Sequence, residues 1–81
     1  MYYLYILKCA DKTFYTGITA DLKRRIWEHN NSKRGAKYTS ARRPLKMVYF
    51  KKFKNRSLAS IEEAKIKKLT RKEKIQLLKK K

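Results

Sequence analysis

Residues 2–8, YYLYILK, and residues 13–19, TFYTGIT, decide the fold of this chain. In both stretches the side chains alternate with the period of two that is typical of a β-strand with two different faces. One face collects side chains suited to a core: Leu4, Ile6, Phe14 and Ile18. The opposite face therefore carries Tyr5 and Tyr15, two phenols that a core does not demand. Between the strands Asp11 can bond the local backbone, which favours a tight turn and an antiparallel hairpin.

A helix is predicted directly after the hairpin. Asp21 is well placed as its N-cap, and Leu22 and Ile26 share one apolar stripe. Arg25 and His29 are four residues apart, so they are neighbours on one face of this helix. The helix therefore presents a guanidinium and an imidazole on the same side.

The second half of the chain adds one strand and two helices. Residues 45–53 are predicted as the third strand, and Asn55 and Thr70 are placed to cap the two helices. The first of these helices should bury a stripe of apolar residues: Leu58, Ile61, Ile66 and Leu69. The final helix is predicted over residues 71–79. The order ββαβαα predicts an α+β fold, a small three-stranded antiparallel sheet flanked by helices, with residues 1–81 forming one domain.

The charge of the chain points to an anionic partner. Lysine and arginine number 24 against 6 aspartates and glutamates, which gives a formal net charge of +18. A chain this basic repels itself unless it binds anions, so we expect a nucleic-acid partner. The lysine-rich residues 71–81 carry too little apolar surface to insert into a membrane, so no membrane partner is predicted.

The cysteine content and the N-terminus indicate the compartment. Cys9 is the one cysteine, so the chain has neither an internal disulfide nor a zinc pattern built from cysteine pairs. The first residues lack the features of a signal peptide. A cytoplasmic location is therefore the expectation.

Five side chains capable of phosphate chemistry are distributed over the first two predicted strands and the first two predicted helices. The first two lie in YLY at residues 3–5 and in YTGIT at residues 15–19, and the set is Tyr5, Tyr15, Arg25, His29 and Glu63. In order and spacing these motifs resemble the GIY-YIG nuclease domain, whose two short motifs precede a helix with an arginine and a histidine. The resemblance extends over nearly the whole chain and is to the small stand-alone branch of that superfamily, most of whose members lack an assigned role.

The resemblance implies hydrolysis of a phosphodiester bond with one divalent cation, magnesium or manganese. Tyr5 matches the tyrosine that acts as general base or proton relay toward the attacking water, and Tyr15 matches the one that orients this water. Arg25 matches the arginine set against the scissile phosphate. His29 matches a polar group that assists proton transfer or contacts the leaving group. Glu63 matches the metal-binding glutamate.

Physical chemistry supports these roles. A phosphodiester gains negative charge as water attacks it, and the planar guanidinium of Arg25 is the cation that suits this charge. Magnesium keeps several waters and takes only one or two carboxylates, so Glu63 is sufficient. Tyrosine has a pKa of about 10, so Tyr5 is a poor base at neutral pH unless nearby cations lower that pKa. The surplus of lysine and arginine can supply such cations.

Glu62 is the alternative metal ligand. On a helical wheel Glu62 falls nearer the middle of the predicted apolar stripe, whereas Glu63 lies at its edge. The spacing of the family motif favours Glu63, and an edge position suits a ligand that must meet water. Glu63 can instead form an ordinary helical ion pair with Lys67.

The motifs also depart from the family pattern. Tyr3 and Leu4 stand where the first motif has glycine and isoleucine, and Thr16 replaces the isoleucine of the second motif. Tyr5 and Tyr15 can also be read as packing aromatics, although Arg25 at its matching position favours the functional interpretation.

A basic stretch between the first helix and the third strand is predicted to bind nucleic acid. Residues 33–43, KRGAKYTSARR, place five cations around one tyrosine, as a loop or short helical turn exposed to solvent. Such a segment can follow a phosphate backbone and stack one base. The predicted nucleic-acid-binding residues are Lys33, Arg34, Lys37, Tyr38, Arg42 and Arg43.

The sequence therefore predicts a metal-dependent DNA endonuclease that is selective for structure rather than sequence, because no base-reading motif is visible. The alternatives are a non-catalytic nucleic-acid-binding module that uses the same basic face, and a nuclease subunit that needs a protein partner to reach its substrate. DNA is preferred over RNA as the substrate, and both that choice and the choice between duplex and branched substrates stay open.

Overall fold

A computed structural model of the chain describes residues 1–31 and 41–79. Their secondary structure follows the predicted order ββαβαα, which confirms the α+β fold with one small antiparallel sheet. The strands and helices are β1 (Tyr2–Lys8), β2 (Phe14–Thr19), α1 (Leu22–Asn31), β3 (Lys46–Phe53), α2 (Arg56–Lys67) and α3 (Arg71–Lys79). β2 and β3 each begin one residue later than the sequence predicts.

The first strand of the chain lies in the middle of the sheet. The strand order is β2-β1-β3, and β1 is antiparallel to both neighbours. Tyr5 faces Gly17 across the pair with β2 and Phe50 across the pair with β3. A bulge in β3 opposite Ile6 and Leu7 shifts the register of the second pair. Because β1 is hydrogen-bonded on both edges and covered on both faces, its central residues are fully buried.

The turn between β1 and β2 forms as expected. The Asp11 carboxylate accepts hydrogen bonds from the backbone N–H of Thr13 at 3.2 Å and from its hydroxyl at 2.6 Å. Lys12 takes a left-handed backbone conformation with φ of 68°, and its N–H donates to the Cys9 carbonyl at 2.9 Å. The local bonds of Asp11 therefore close the hairpin.

Both faces of the sheet are covered, so the fold has two core clusters. On one face Leu4 and Ile6 pack with Ile66 of α2. On the other face Tyr5 and Leu7 pack with further side chains, among them four partly buried ones: Tyr15, Leu22, Ile26 and Met47. The predicted separation of the tyrosines from Leu4 and Ile6 is confirmed. The tyrosine face also carries a core, because α1 covers it and leaves Tyr5 only 1% exposed.

The buried stripe of α2 differs from the predicted one. Leu58 and Ile61 are 44% and 55% exposed, whereas Ala59 and Ile66 are buried. The small side chain of Ala59 allows the helix backbone to approach the sheet closely, and this contact rotates the two larger residues outward. Glu63 lies between Ala59 and Ile66 in helical spacing, so it belongs to the side of α2 that faces the sheet.

The helix caps match the sequence. Asp21 accepts the N–H of Arg24 at 3.1 Å and caps α1, and Asn55 accepts the N–H of Leu58 at 3.0 Å and caps α2. Thr70 and Glu73 form a reciprocal capping box at the start of α3, with bonds of 3.2 and 2.9 Å. Within residues 1–31 and 41–79, no helix has the length and apolar character needed to cross a membrane.

Candidate active site

The candidate site is centred on a buried contact between the middle strand and the first helix. The Tyr5 hydroxyl lies 2.8 Å from Nε2 of His29. Tyr5 is 1% exposed and His29 is 0% exposed, so this bond is shielded from solvent. β1 fixes the tyrosine because it is the central strand, and the last turn of α1 brings the histidine over it.

Tyr15 extends this contact into a cluster of three rings. Its ring centroid lies 5.1 Å from that of His29 and 6.4 Å from that of Tyr5. Unlike those two residues, Tyr15 is only half-buried, so it forms the outer edge of the cluster. The structure therefore brings together the two motif tyrosines and the histidine that the sequence singles out.

Gly17 provides the space that the Tyr5 phenol occupies. A Cβ atom at position 17 would lie 2.6 Å from Oη of Tyr5 and 2.7 Å from its Cζ. Real Cβ atoms essentially never approach other atoms this closely. The glycine of the second motif is therefore required for the room it leaves beneath the phenol, and this requirement follows from the pairing of Gly17 with Tyr5.

The pKa of the Tyr5 phenol is raised and the pKa of the His29 imidazole is lowered. Burial raises the pKa of Tyr5 to about 12, and this effect outweighs the hydrogen bond and positive charge of Arg25, which lower it. The expectation that cations lower this pKa is therefore wrong in its net direction. Burial, together with the charges of Arg25 and Arg43, lowers the pKa of His29 to about 4.

These pKa values leave both groups uncharged at neutral pH, and with the His29 tautomer whose Nε2 carries no proton the phenol is the donor. The phenol of Tyr5 keeps its proton, and the imidazole of His29 is neutral. Arg25 also bonds the phenol, and a guanidinium can only donate. The oxygen of Tyr5 accepts from Arg25 and directs its own proton to Nε2 of His29.

Arg25 connects the buried pair to solvent. It is 28% exposed, and its Nη1 donates to Oε1 of Glu28 at 3.1 Å. The hydrogen bond from Arg25 lowers the pKa of Glu28, which stays ionised. A cleft of about 320 Å³ opens at this point. Its lining consists of residues from the β2–α1 junction and from α1: Thr19, Ala20, Asp21, Arg24, Arg25 and Glu28.

Glu28 is a site residue that sequence reasoning missed. It pairs with Arg25 and also with Nε of Arg24, at 3.4 Å. The available signal was its helical spacing, three and four residues after the two arginines, which favours ion pairs on one face. Glu28 holds the Arg25 guanidinium between the phenol of Tyr5 and the open cleft.

Glu63 approaches the same phenol from α2. Burial is the largest cause of the raised pKa of Tyr5, and the negative charge of Glu63 is one of the smaller causes. The Glu63 carboxylate therefore lies within electrostatic range of the Tyr5 phenol. It is 22% exposed and pairs with Nζ of Lys67 at 3.3 Å, the helical ion pair that the spacing allows. Among the described residues, no group of three or more histidine, cysteine or acidic side chains is placed to hold a metal ion. Glu63 would thus be a single carboxylate ligand, which suits magnesium with a shell of waters.

Asn30, which the sequence analysis did not single out, fixes the end of α1 that carries His29. Its amide oxygen accepts the N–H of Leu45 at 2.8 Å, and its amide nitrogen donates to the carbonyl of Leu45 at 3.2 Å. The same nitrogen donates to the carbonyl of Ile26 at 3.3 Å. Asn30 thereby ties α1 to the segment that leads into β3.

The predicted nucleic-acid contacts fall into two groups. Arg42 pairs with Asp11 at 3.0 Å, and Nε of Arg43 donates to the carbonyl of His29 at 2.7 Å. Both arginines therefore brace the start of β3 against the hairpin and α1. The other four predicted contacts lie outside the described residues: Lys33, Arg34, Lys37 and Tyr38.

Comparison with known proteins agrees with this arrangement. Residues 1–76 match the GIY-YIG catalytic domain. A UPF0213 protein of Syntrophus aciditrophicus is 51% identical over 95% of this chain and 88% of its own length. One from Clostridium perfringens is 54% identical over 96% of this chain and 83% of its own length.

Two solved structures are also similar. The solution structure of a UPF0213 protein from Bacillus halodurans has a TM-score of 0.65 and 43% identity, covering 100% of this chain and 86% of that protein. The solution structure of a protein from E. faecalis has a TM-score of 0.66 and 48% identity, covering 98% of this chain and 83% of that protein. Residues 1–76, which include both motif tyrosines and the helix that follows them, thus form a GIY-YIG catalytic domain, and the chain belongs to the GIY-YIG family, among its UPF0213 proteins.

Proposed function

We propose that this chain hydrolyses phosphodiester bonds in DNA as a metal-dependent endonuclease. The observation that carries the proposal is the Tyr5 phenol, which is bonded to Nε2 of His29 at 2.8 Å and receives a hydrogen bond from Arg25. A phenol between an imidazole and a guanidinium suits proton transfer beside a phosphate anion. Membership of a nuclease family supports a nucleic-acid substrate.

Tyr5 acts in this proposal as a proton relay. As a water oxygen attacks phosphorus, the water proton passes to Oη of Tyr5 while the phenol proton passes to Nε2 of His29. The new P–O bond forms and the P–O bond to the leaving group breaks. His29, whose pKa is about 4, holds the proton only briefly and returns it through Tyr5 to the leaving oxygen, which departs as a hydroxyl. A phenolate is never required, so a pKa of about 12 does not prevent the reaction.

The remaining residues stabilise charge. Arg25 opens onto the cleft of about 320 Å³, where its guanidinium can donate to the phosphate as negative charge accumulates. Glu63 would hold the divalent cation, magnesium or manganese, which supplies Lewis-acid stabilisation of the phosphoryl oxygens when bound. Glu28 positions Arg25 by the 3.1 Å ion pair.

The test is cleavage of labelled duplex, flapped, branched and single-stranded DNA, with matched RNA, in magnesium, manganese or EDTA. The chain offers a matched pair of variants, because Glu62 and Glu63 are adjacent on α2. We expect Glu63→Gln to lose metal-dependent product and Glu62→Gln to retain it. Arg25→Ala and Tyr5→Phe should both lose product. Full activity of Glu63→Gln or of Arg25→Ala would rule out the mechanism.

The net charge of +18 supports a second function, binding of nucleic acid without cleavage. In that case every substrate stays intact in all metals while binding persists, and Glu63→Gln leaves affinity unchanged. The chain would then be a binding module, or a subunit that requires a protein partner for activity. We expect preference for DNA structure rather than sequence, and a sharp consensus from a sequence-selection experiment would contradict this.

A further inference from the structure

An exposed aromatic groove lies next to the candidate active site. It has a volume of about 430 Å³. Its lining comes from β1, β3 and the start of α1: Tyr3, Ala20, Asp21, Leu22, Lys23 and Phe50. The rings of Tyr3 and Phe50 meet edge to face with centroids 6.5 Å apart, and Phe50 is 43% exposed. We refer to this feature as the Tyr3–Phe50 groove.

The groove adjoins the cleft that contains Arg25. Ala20 and Asp21 line both, so the β2–α1 junction forms their shared wall. Tyr3 and Tyr5 are two residues apart on one face of β1, roughly 7 Å along the strand. A nucleic-acid strand has one phosphate per about 3.4 Å of duplex axis. The groove and the cleft at Arg25 are therefore close enough for neighbouring nucleotides of one strand to occupy both.

The charges around the groove complement a nucleic-acid strand. Lys23 lines the groove, and Lys52 is the cross-strand partner of Tyr3, which places it on the same sheet face. The one acidic lining residue, Asp21, is engaged as the cap of α1 through the N–H of Arg24. Two aromatic rings between lysines fit a base with phosphates on either side.

We infer that the Tyr3–Phe50 groove binds an unpaired base of the substrate strand, next to the scissile phosphate. This inference rests on the proposed function, whose substrate it narrows to nucleic acid with an unstacked nucleotide beside the cut. A paired base presents only its edge in a duplex groove, whereas stacking on a ring requires an exposed base face. The groove thus gives a physical origin for selectivity by structure.

The inference also accounts for a departure from the family motif. Tyr3 stands at the position of the glycine in the first motif. A glycine there would supply no ring, and Phe50 alone would offer one aromatic face. Tyr3, which departs from the family motif, therefore supplies one of the two aromatic rings of the groove.

The test measures binding in EDTA, where no cleavage interferes. Two duplexes are compared, one fully paired and one with a single unpaired 2-aminopurine, whose fluorescence falls when it stacks on an aromatic ring. We expect the wild type to bind the second duplex more tightly and to quench its fluorescence. Phe50→Ser and Tyr3→Ser should each lose about tenfold in affinity for that duplex only. Tyr3→Phe keeps a ring and should retain both the preference and the quenching.

Trp27→Ala is the matched control, because Trp27 is an aromatic of α1 that is 60% exposed and does not line the groove. It should retain the preference, and urea denaturation shows whether each variant is folded. If Phe50→Ser and Tyr3→Ser both bind the two duplexes as the wild type does, without change in quenching, the inference is overturned. Equal loss on both duplexes would overturn it too.

The outcome separates this inference from the proposed function. If the wild type prefers the duplex with the unpaired base but cleaves no substrate in any metal, the groove stands and the endonuclease proposal fails. If cleavage depends on Arg25 and Glu63 but the groove variants change neither binding nor cleavage, the endonuclease proposal stands and the groove inference fails. The other possible occupant of the groove is a second copy of this chain, and sedimentation measures the oligomeric state that tests it. A wild-type dimer that Phe50→Ser converts to a monomer would assign the groove to self-association and overturn the inference.

Discussion

Among single residues, Gly17 and Tyr5 depend on each other most directly. The phenol oxygen sits 2.6 Å from where a Cβ of residue 17 would be, and it is held there by His29. The phenol is fully buried, so it has no solvent-filled space into which it can move. The proton relay proposed for Tyr5 and His29 therefore depends on the absence of a side chain at position 17.

Gly17→Ala should destabilise the protein and reduce cleavage together. Overpacking of a buried site costs about 1–3 kcal/mol of unfolding free energy, and moving the phenol breaks its bond to His29. Urea denaturation and the cleavage assay measure the two effects. Thr16→Val is the control, since the Thr16 hydroxyl is buried without a hydrogen-bond partner among the described residues. That variant should be stabilised by about 1 kcal/mol. A Gly17→Ala protein as stable and active as wild type would refute the steric argument.

The stability of the fold should fall in mild acid because of His29. Its pKa is about 4 in the folded protein and about 6.5 in an unfolded chain, so the unfolded state binds more protons between these values. Stability contributed by the neutral imidazole is complete above pH 6.5 and is lost as pH falls toward 4, by roughly 3 kcal/mol.

Urea midpoints at a series of pH values from 7 down to 4.5 measure this loss. His29→Gln keeps a hydrogen-bond partner for Tyr5 without a titrating ring, so its midpoint should change much less. The Asp11 and Glu28 carboxyls contribute little in this window. Hydrogen bonds from Thr13 and Arg25 respectively lower their pKa values, so the stability that they add is lost only as pH falls below the unfolded values, about 4. Equal slopes for the wild type and His29→Gln would show that His29 does not titrate as described.

At the residue level, the sequence predicted which side chains would meet but not how deeply they would be buried. Strand alternation placed Tyr5 and Tyr15 on one face, and helical spacing added Arg25 and His29. Burial depends on α1 docking over that face, which periodicity within a strand does not report. For this reason the sequence could not show that burial, rather than nearby cations, sets the pKa of Tyr5.

Among the elements, α1 matters most because it carries both Arg25 and His29. Asp21 caps its start, and Asn30 joins its end to Leu45 by two hydrogen bonds of 2.8 and 3.2 Å. The position of the histidine over the sheet is therefore fixed from both ends of the helix.

Asn30→Ala should loosen this attachment. It leaves the N–H and carbonyl of Leu45 without their partner, and each unsatisfied buried group costs about 1–3 kcal/mol. We expect lower stability and weaker cleavage, both measured as for Gly17→Ala. Asn31→Ala is the neighbouring control, because Asn31 is exposed and its side-chain bond to the described residues goes to the carbonyl of Trp27 within its own helix, at 3.0 Å. Similar losses for the two variants would argue against the special role of Asn30.

The elements themselves were largely predictable, since turns and caps are local. The bonds of Asp11, Asn55 and Thr70 lie within three residues and can be read from the sequence. The face that α2 buries is not local. Ala59 is buried in place of the larger Leu58, because close approach of the helix to the sheet buries more total surface. This approach depends on residues that are distant in the chain.

For the whole molecule, the net charge of +18 should control binding. Each neutralised phosphate contributes about −0.9 to the slope of log affinity against log salt on duplex DNA, so three or more contacts give about −3 or steeper. Fluorescence anisotropy between about 50 and 200 mM KCl measures this slope. Lys23→Gln should make it shallower by about one unit on both duplexes. An affinity that does not change with salt would contradict the charge argument.

The strand order β2-β1-β3 has a consequence for synthesis on the ribosome. β1 is made first, yet one of its edges stays open until β3 emerges, several seconds later at roughly 5–20 residues per second. During that interval the nascent chain can form only the hairpin and α1, with an apolar strand edge exposed. A pause in translation before Lys46 would prolong the stage at which this edge of the central strand is open and the chain is prone to aggregate.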